Sequence, residues 1–213
     1  MSMTIVCDLR HKFGIVRDQG ARPTCLAFAL SDAHGSLHAP FKNLSVEYLY
    51  CNAVQLMPIR DPHAGVNVDC ACTSLRDSGQ PDEDIWPYQI SLPSDLNGWN
   101  PPANCTVYTR EGTVQQEGFG RICTQLDAGR PVVVCMELSE SFYYPIADGT
   151  IMQRSPDPKT GNHAVIAVGH GIGGSGPCLL IRNSWGPSWG LAGHAFLHEG
   201  YLANRILSTT VLS

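Results

Sequence analysis

The chain has 213 residues, of which 43% are hydrophobic and 15% are charged, and its formal net charge is −5. This length allows a sizeable core, and the composition is typical of a globular protein rather than a disordered one. Lysine and arginine form no cluster, so we expect no nucleic-acid partner. The longest apolar runs fall short of the roughly 18 residues of a membrane span, so we expect no membrane partner.

The first residues and the cysteines bear on the compartment. The N-terminal stretch MSMTIVCDLRHKFG lacks the apolar core of a secretory signal, and the cysteine count of 9 is odd. We therefore expect mostly reduced thiols in a cytoplasmic protein, or in one exported by a route that needs no signal peptide. Cys70 and Cys72 diverge in a helical pattern, and His34 and His38 lack a third ligand. We expect no metal site and no cofactor.

The first half of the chain predicts helices. Apolar residues recur at helical spacing from Cys25 to His38, so a helix is expected to begin at Cys25. Ser45 is a candidate N-cap of a second helix, which Pro58 stops. A third helix is predicted around residues 67–78, with Gly79 as its C-terminal signal. A proline-rich connector with interspersed aromatic residues follows.

The second half predicts short strands separated by turns. The apolar or β-branched stretches are Arg130 to Leu138, His163 to Gly171, Cys178 to Trp185 and Gly193 to Leu202. Helices followed by strands indicate an α+β fold with two lobes, a helical one over about residues 12–107 and an antiparallel, β-barrel-like one over about residues 108–213. An active-site cleft between such lobes draws residues from both.

Cys25 is a candidate nucleophile because of its place at the start of a helix. A helix N-terminus and an adjacent imidazolium both stabilise a thiolate. The chemistry also needs a base held in one orientation and donors where the oxyanion forms. His163 is the best candidate base, because it begins a strand beside a turn. Asn183 ends the next strand, and its carboxamide oxygen fixes the imidazole if the two strands are neighbours.

Three blocks, DQGARPTCLAFA, NHAVIAVGHG and IRNSWGPSWGLAGHAFL, resemble the signature blocks of papain-like cysteine peptidases in the same order. The likeness spans about residues 12–197, and the separation of Cys25 from His163 fits the family spacing of about 130–150 residues. The resemblance implies one two-lobed papain-like catalytic domain, a cysteine endopeptidase that needs no cofactor, and a protein or peptide substrate. Its departures from the family pattern resemble the stand-alone bacterial branch without a propeptide more than the secreted enzymes.

The resemblance implies a role for each matched residue. Cys25 is the nucleophile that forms a thioester acyl-enzyme, and His163 pairs with it as an imidazolium and later protonates the leaving amine. Asn183 orients His163, and Trp185 shields their hydrogen bond from water. Gln19 supplies an oxyanion donor through its side-chain amide, together with the Cys25 backbone N–H.

Substrate contacts are implied for Gly65, Val66 and Ala164. Val66 replaces the second of the family's paired glycines and is expected to narrow the pocket, which predicts cleavage sites rich in small residues or glycine. Arg22 replaces a cysteine that forms a disulfide in lysosomal and plant members, in agreement with a reducing compartment. Leu26 replaces the aromatic residue after the nucleophile.

The other polar residues are expected to be structural. Asp32 and Glu47 are predicted to be ordinary charges on helix faces. His34 and His38 are predicted to be solvated or to lie at a helix end. His170, in the turn-like stretch GHG, is also predicted to be structural.

Three functions remain open on the sequence alone. The first is a cysteine endopeptidase, which would serve as a bacterial effector or toxin of narrow substrate range, restrained by an inhibitor or an immunity protein. The second is a papain-fold deamidase or acyltransferase acting on protein glutamine, which changes the mass of its target but not its length. The third is a catalytically dead binding module. The complete set of catalytic residues favours an enzyme, and the Asn-Ser-Trp-Gly block favours peptide hydrolysis.

Overall fold

Helices dominate the first half of the chain, as predicted. The computed structural model describes residues 3–93 and 96–213. Its α-helices are α1 Cys25–Gly35, α2 Val46–Leu56, α3 Val68–Asp77, α4 Phe119–Asp127, α5 Glu140–Tyr143 and α6 Glu199–Leu202. Short 3-10 turns occupy Arg10–Lys12, Glu83–Ile85 and Leu96–Gly98. None of the helices in these ranges is long and apolar enough to cross a membrane.

Local signals set the ends of α2 and α3. The Ser45 hydroxyl accepts a hydrogen bond from the N–H of Tyr48 at 3.1 Å, and Asn67 Oδ1 accepts one from the N–H of Cys70 at 2.8 Å. After α3, Gly79 has a φ of +68°, and a Cβ there would lie 2.6 Å from the carbonyl oxygen of Tyr108. Only glycine fits this turn without strain.

Eight strands form one sheet in the described residues. They are β1 Thr4–Asp8, β2 Gly112–Gln115, β3 Val132–Ser139, β4 Thr150–Ile151, β5 Lys159–Gly173, β6 Gly176–Arg182, β7 His194–His198 and β8 Ile206–Leu212. The order is β2-β8-β3-β5-β6-β7-β4, with β1 added on β5. All pairs are antiparallel except β4 with β7.

The architecture confirms the predicted α+β class and corrects one detail. In the part of the chain that the structure describes, the outer strands β2 and β4 are not paired with each other, so the sheet is open rather than closed into a barrel. The N-terminal strand β1 joins the sheet of the second half, although the sequence analysis placed no strand there. The helix α4 and the strand β8 were not predicted either.

The sheet is buried on both faces. Along β5, Ala164 and Ile166 belong to the core cluster that contains α1, α2 and α3, whereas Val165 and Ala167 belong to the cluster that contains α4. This alternation follows the two-residue period of a strand. The first cluster packs the helical layer on the sheet, and so holds the start of α1 against β5.

The prediction that Asp32 is an ordinary surface charge is wrong. Asp32 is 5% exposed, and its carboxylate binds Arg17 at 2.5 Å and Arg182 at 2.8 Å. Burial opposes ionisation, but the two guanidinium groups outweigh it and lower the pKa of Asp32. Arg182 is the last residue of β6, so its ion pair with Asp32 links α1 to the sheet.

Candidate active site

Cys25 lies at the first residue of α1 and lines a cleft of about 500 Å³ between the helices and the sheet. Burial raises the pKa of its thiol, which works against the thiolate. Nearby backbone N–H groups of Ala164, Leu26 and Cys25 itself lower the pKa in part. Ala164, the residue that follows His163, lines the same cleft as Cys25.

The orientation of His163 is set by Asn183. His163 Nε2 lies 2.7 Å from Asn183 Oδ1, and the same oxygen accepts a hydrogen bond from the N–H of Ser184 at 2.9 Å. A backbone amide only donates, so the atom it meets is the carboxamide oxygen rather than the nitrogen. That oxygen only accepts, so His163 Nε2 carries the proton. The other ring nitrogen, Nδ1, is then the basic one in the neutral imidazole.

Burial opposes the charged form of this imidazole. The His163 side chain is 5% exposed. Its burial lowers the pKa to about 4, and the hydrogen bond to Asn183 raises it only in part. Burial thus favours the neutral forms of both Cys25 and His163 when each is taken alone. The thiolate-imidazolium pair remains a prediction, and it requires the mutual attraction of the two charges to outweigh their desolvation.

An aromatic cluster covers the His163–Asn183 hydrogen bond. The Trp185 ring lies 4.8 Å from the His163 ring, and Phe142 approaches the same ring at 5.6 Å, edge to face. Tyr143 stacks on the outer side of Trp185 at 5.4 Å. This packing of aromatic rings is what the predicted shielding of the hydrogen bond by Trp185 requires.

Gln19 is buried rather than a surface amide. Its Oε1 accepts a hydrogen bond from Ser184 Oγ at 2.7 Å, and its Nε2 donates to the carbonyl oxygen of Arg22 at 2.8 Å. These two bonds hold the amide plane in one orientation. A primary amide has two N–H hydrogens, so the second hydrogen of Nε2 remains for another acceptor. Because Arg22 lies three residues before Cys25, its carbonyl holds the side-chain amide of Gln19, the predicted oxyanion donor, close to the start of α1.

The predicted substrate-contacting residues Gly65, Val66 and Ala164 all line the cleft that contains Cys25 and His163. The cleft has further lining residues that the sequence analysis missed, among them Met57, Asn67, Cys135, Leu207 and Ser208. Cys135 pairs directly with Ala164 in the β3–β5 register. The pairing of Cys135 with Ala164 would have identified Cys135 as a cleft residue, but the sequence alone does not predict this strand register.

Glu47, predicted to be an ordinary helix-face charge, is fully buried beside the cleft. Its carboxylate binds Arg22 at 2.6 Å, accepts from Trp99 Nε1 at 2.6 Å and accepts from the N–H of Gln89 at 3.1 Å. A buried carboxylate needs such partners. The prediction for Glu47 is therefore wrong, because its partners come from segments distant in sequence.

All nine cysteines lie in the described ranges as free thiols. Arg22, which stands where lysosomal and plant relatives are expected to carry a disulfide cysteine, is instead committed to the ion pair with Glu47. Leu26 is buried and contributes to the cleft wall below Cys25.

Comparison with known proteins gives one family. The model of the papain family cysteine protease matches residues 5–211. A cysteine protease of Blomia tropicalis is 26% identical over 208 residues, covering 91% of this chain and 61% of the relative. Cathepsin K of Mus musculus is 25% identical over 187 residues, covering 85% of this chain and 55% of the relative. The chain thus spans less than two thirds of the length of either protein.

Solved structures agree on the fold. Xylellain, a cysteine protease from Xylella fastidiosa, superposes with a TM-score of 0.78 at 22% identity, covering 100% of this chain and 87% of that one. A procathepsin B from Trypanosoma congolense gives a TM-score of 0.76 at 16% identity, covering 100% of this chain and 79% of that one. These likenesses establish the papain-like fold.

Proposed function

The chain belongs to the papain family of cysteine proteases, and from this premise we propose that it is a cysteine endopeptidase with Cys25 as its nucleophile. The observation that carries the proposal is the hydrogen bond from His163 Nε2 to Asn183 Oδ1. It leaves Nδ1 as the basic nitrogen of an imidazole that lines the same cleft as the Cys25 thiol. A thiol and an oriented base in one cleft are the minimum for nucleophilic catalysis by cysteine.

The first half of the proposed reaction forms an acyl-enzyme. His163 Nδ1 takes the thiol proton, and the Cys25 sulfur attacks the carbonyl carbon of the scissile peptide bond. The carbonyl oxygen becomes an oxyanion, which the Cys25 backbone N–H and the second Nε2 hydrogen of Gln19 stabilise. The C–N bond then breaks as the imidazolium protonates the leaving amine, and a thioester remains on Cys25.

The second half releases the acid. Water loses a proton to His163 Nδ1 and attacks the thioester carbon, and the same donors stabilise the oxyanion. Collapse of this intermediate breaks the C–S bond, the thiolate leaves, and the imidazolium returns the proton to it. Asn183 stabilises the imidazolium at both stages through its carboxamide oxygen, and Trp185 keeps water away from that contact.

The substrate range and setting are part of the proposal. Val66 presents a branched side chain to the cleft where the family pattern has glycine, and this supports a narrow range of protein or peptide substrates. The cysteines are free thiols, which supports a protein that acts in a reducing compartment such as the cytoplasm. The protein would either be made there or be delivered there. A bacterial effector that is restrained by an inhibitor or immunity protein fits both features.

The test is alkylation by iodoacetamide from about pH 4 to about pH 9, followed by mass spectrometry of the peptides. In the wild type we expect Cys25 to react well below the ordinary thiol pKa of about 8.5, and His163→Ala to abolish this reactivity. Cys135→Ser is the matched control, because Cys135 lines the same cleft and should leave the Cys25 profile unchanged.

Incubation with an unfolded protein then distinguishes the reactions. Shorter products that Cys25→Ala does not make support the endopeptidase. A target that changes mass at glutamine but keeps its length supports the deamidase or acyltransferase instead. Ordinary reactivity of Cys25, with no change in any target, would leave the binding module as the better description.

A further inference from the structure

A second group of ligand-type side chains lies outside the cleft, at the edge where β1 joins β5. Cys7 on β1 and His170 on β5 are direct partners in the antiparallel register, so their side chains share one face of the sheet. Asp127, the last residue of α4, lies over the same face. One donor atom from each of the three residues falls within 4.8 Å of the others.

We propose that Cys7, Asp127 and His170 form a binding site for a zinc ion, separate from the active-site cleft. None of the three lines that cleft among the residues the structure describes. A thiolate, an imidazole and a carboxylate are the ligands that zinc takes in proteins, and three protein ligands leave a fourth position for water. Magnesium and calcium are disfavoured, because both prefer sites made only of oxygen ligands.

The donors are already close to the spacing that zinc requires. His170 Nε2 lies 2.8 Å from Asp127 Oδ1. Two ligands about 2.0 Å from a tetrahedral zinc lie about 3.3 Å apart, so the His170–Asp127 pair must open by roughly half an ångström. The Cys7 sulfur, which lies within 4.8 Å of both donor atoms, must come to about 3.5 Å from them. Regular elements hold all three residues: Cys7 and His170 lie in paired strands, and Asp127 is the last residue of α4.

The environment permits an ion to enter. The Asp127 side chain is 58% exposed and that of His170 is 14% exposed, whereas Cys7 is half-buried with its sulfur 3.4 Å from the carbonyl oxygen of Leu126. On binding, the Cys7 thiol releases its proton to solvent and the sulfur bonds to zinc. The hydrogen bond between His170 and Asp127 is replaced by one metal bond to each. The ion would then link β1, α4 and β5, and so stabilise the N-terminal strand.

This proposal departs from the expectation of a metal-free chain. The short spacings considered in the sequence, such as Cys70 with Cys72, place their thiols apart on a helix. The proposed ligands are spread over most of the chain, and only the β1–β5 pairing brings Cys7 to His170. The prediction of a structural role for His170 is compatible with a zinc ligand of this kind.

The test uses Cys25→Ala as the parent, so that the active-site thiol does not bind metal. We expect one equivalent of Zn²⁺ to bind and to raise Tm, and Co²⁺ to give a thiolate-to-cobalt charge-transfer band in the near ultraviolet. Cys7→Ser should abolish that band, and Asp127→Ala and His170→Gln should each weaken Zn²⁺ binding at least about tenfold. Asp127 is exposed, so its variant should fold even if the other two do not.

Matched controls separate this site from adventitious binding. Cys70→Ser and His63→Gln change a half-buried thiol and an exposed imidazole elsewhere, and both should keep the parent affinity. Cys123 precedes Asp127 by one turn of α4, so Cys123→Ser must also keep the cobalt band. Loss of the band in Cys123→Ser but not in Cys7→Ser would overturn the ligand set. Absence of any metal-dependent shift in Tm would reduce the group to an ordinary histidine–aspartate pair.

Discussion

Arg22 and Glu47 form a two-point ion pair beside the active-site cleft, with Nη1–Oε2 and Nη2–Oε1 distances of 2.6 and 3.0 Å. Their side chains are 6% and 0% exposed. The pair joins α2 to the turn that leads into Cys25. It therefore restrains the same turn that a disulfide is expected to restrain in lysosomal and plant relatives, and it does so without oxidation.

Removal of one partner of this pair should be costly. Glu47→Gln leaves the buried Arg22 guanidinium without its counter-charge, and we expect a loss of about 3–5 kcal/mol in the free energy of unfolding. The double variant Arg22→Met, Glu47→Gln should lose less, because no buried charge is left uncompensated and the Gln amide oxygen still accepts from Trp99 Nε1. Urea unfolding measures both. Arg76→Ala, at an exposed pair with Asp77, is the control and should cost less than about 1 kcal/mol.

Equal losses in the single and double Glu47 variants would contradict this account. Such a result would mean that packing of the two side chains, rather than their charges, stabilises the turn before Cys25.

Asn183 is proposed to position His163 and to stabilise its imidazolium. Asn183→Ala should therefore lower kcat/KM for peptide hydrolysis about a hundredfold, mainly through kcat, while Tm changes little. Asn183→Asp keeps an acceptor for the His163 Nε2–H and should restore much of the activity. It should also raise the pKa of His163, because a carboxylate favours the imidazolium. The pH dependence of Cys25 alkylation measures this shift.

A different result would change the role of Asn183. If Asn183→Ala and Asn183→Asp lose activity equally, and both lower Tm, the residue holds the local fold rather than the orientation of the imidazole.

The elements around the site follow from local signals that the sequence carries. Ser45 caps α2 and α1 begins at Cys25, as the patterns predict. The third helix was predicted to start near residue 67, and Asn67 is its N-cap. The contact between His163 and Asn183 was also expected, because it requires only that two consecutive strands be neighbours. Local capping and short-range strand pairing are the interactions that a single sequence specifies best.

The features that the sequence did not predict depend on contacts between residues distant along the chain. The five residues of β1 are mostly exposed, so they lack the apolar alternation that identifies a strand. Within α4, only Ile122 and Leu126 are buried, which is too weak a periodic signal for a helix. Asp32 was misassigned because its partner Arg182 comes from β6, and Cys135 was missed because its place in the cleft follows from the β3–β5 register.

Val66 is predicted to limit the substrate range. Val66→Gly removes three carbon atoms from the cleft wall. We expect kcat/KM to rise at least about tenfold for peptides with Leu or Phe at P2, the residue before the one whose carbonyl group is attacked. Peptides with glycine or alanine at that position should change little. A peptide library measures both classes. Val68→Ala, at another residue that lines the cleft, is the matched control.

A wild-type profile already dominated by Leu or Phe at that position would contradict the prediction. It would mean that the substrate passes Val66 without contact, and that other lining residues, such as Leu207, set the preference.

Two buried histidines outside the catalytic pair should make the protein sensitive to mild acid. Burial is the main cause that lowers the pKa of His34 and His194, in each case to about 4. The unfolded chain has the ordinary histidine pKa of 6.5, so between these values it binds more protons than the folded protein. The stability is therefore complete above about pH 6.5 and is lost as the pH falls towards about 4, by roughly 3 kcal/mol per histidine.

His34 offers a test of this dependence away from the cleft. Its Nδ1 lies 3.1 Å from Gln80 Oε1, so the neutral ring donates to the amide oxygen. His34→Gln should flatten the rise of the free energy of unfolding with pH by up to about 1.4 kcal/mol per pH unit near pH 5, as measured by urea unfolding. The exposed His63 provides the control, because His63→Gln should keep the wild-type slope. An unchanged slope in His34→Gln would mean that His34 is protonated in the folded protein, with Gln80 and solvent compensating its charge.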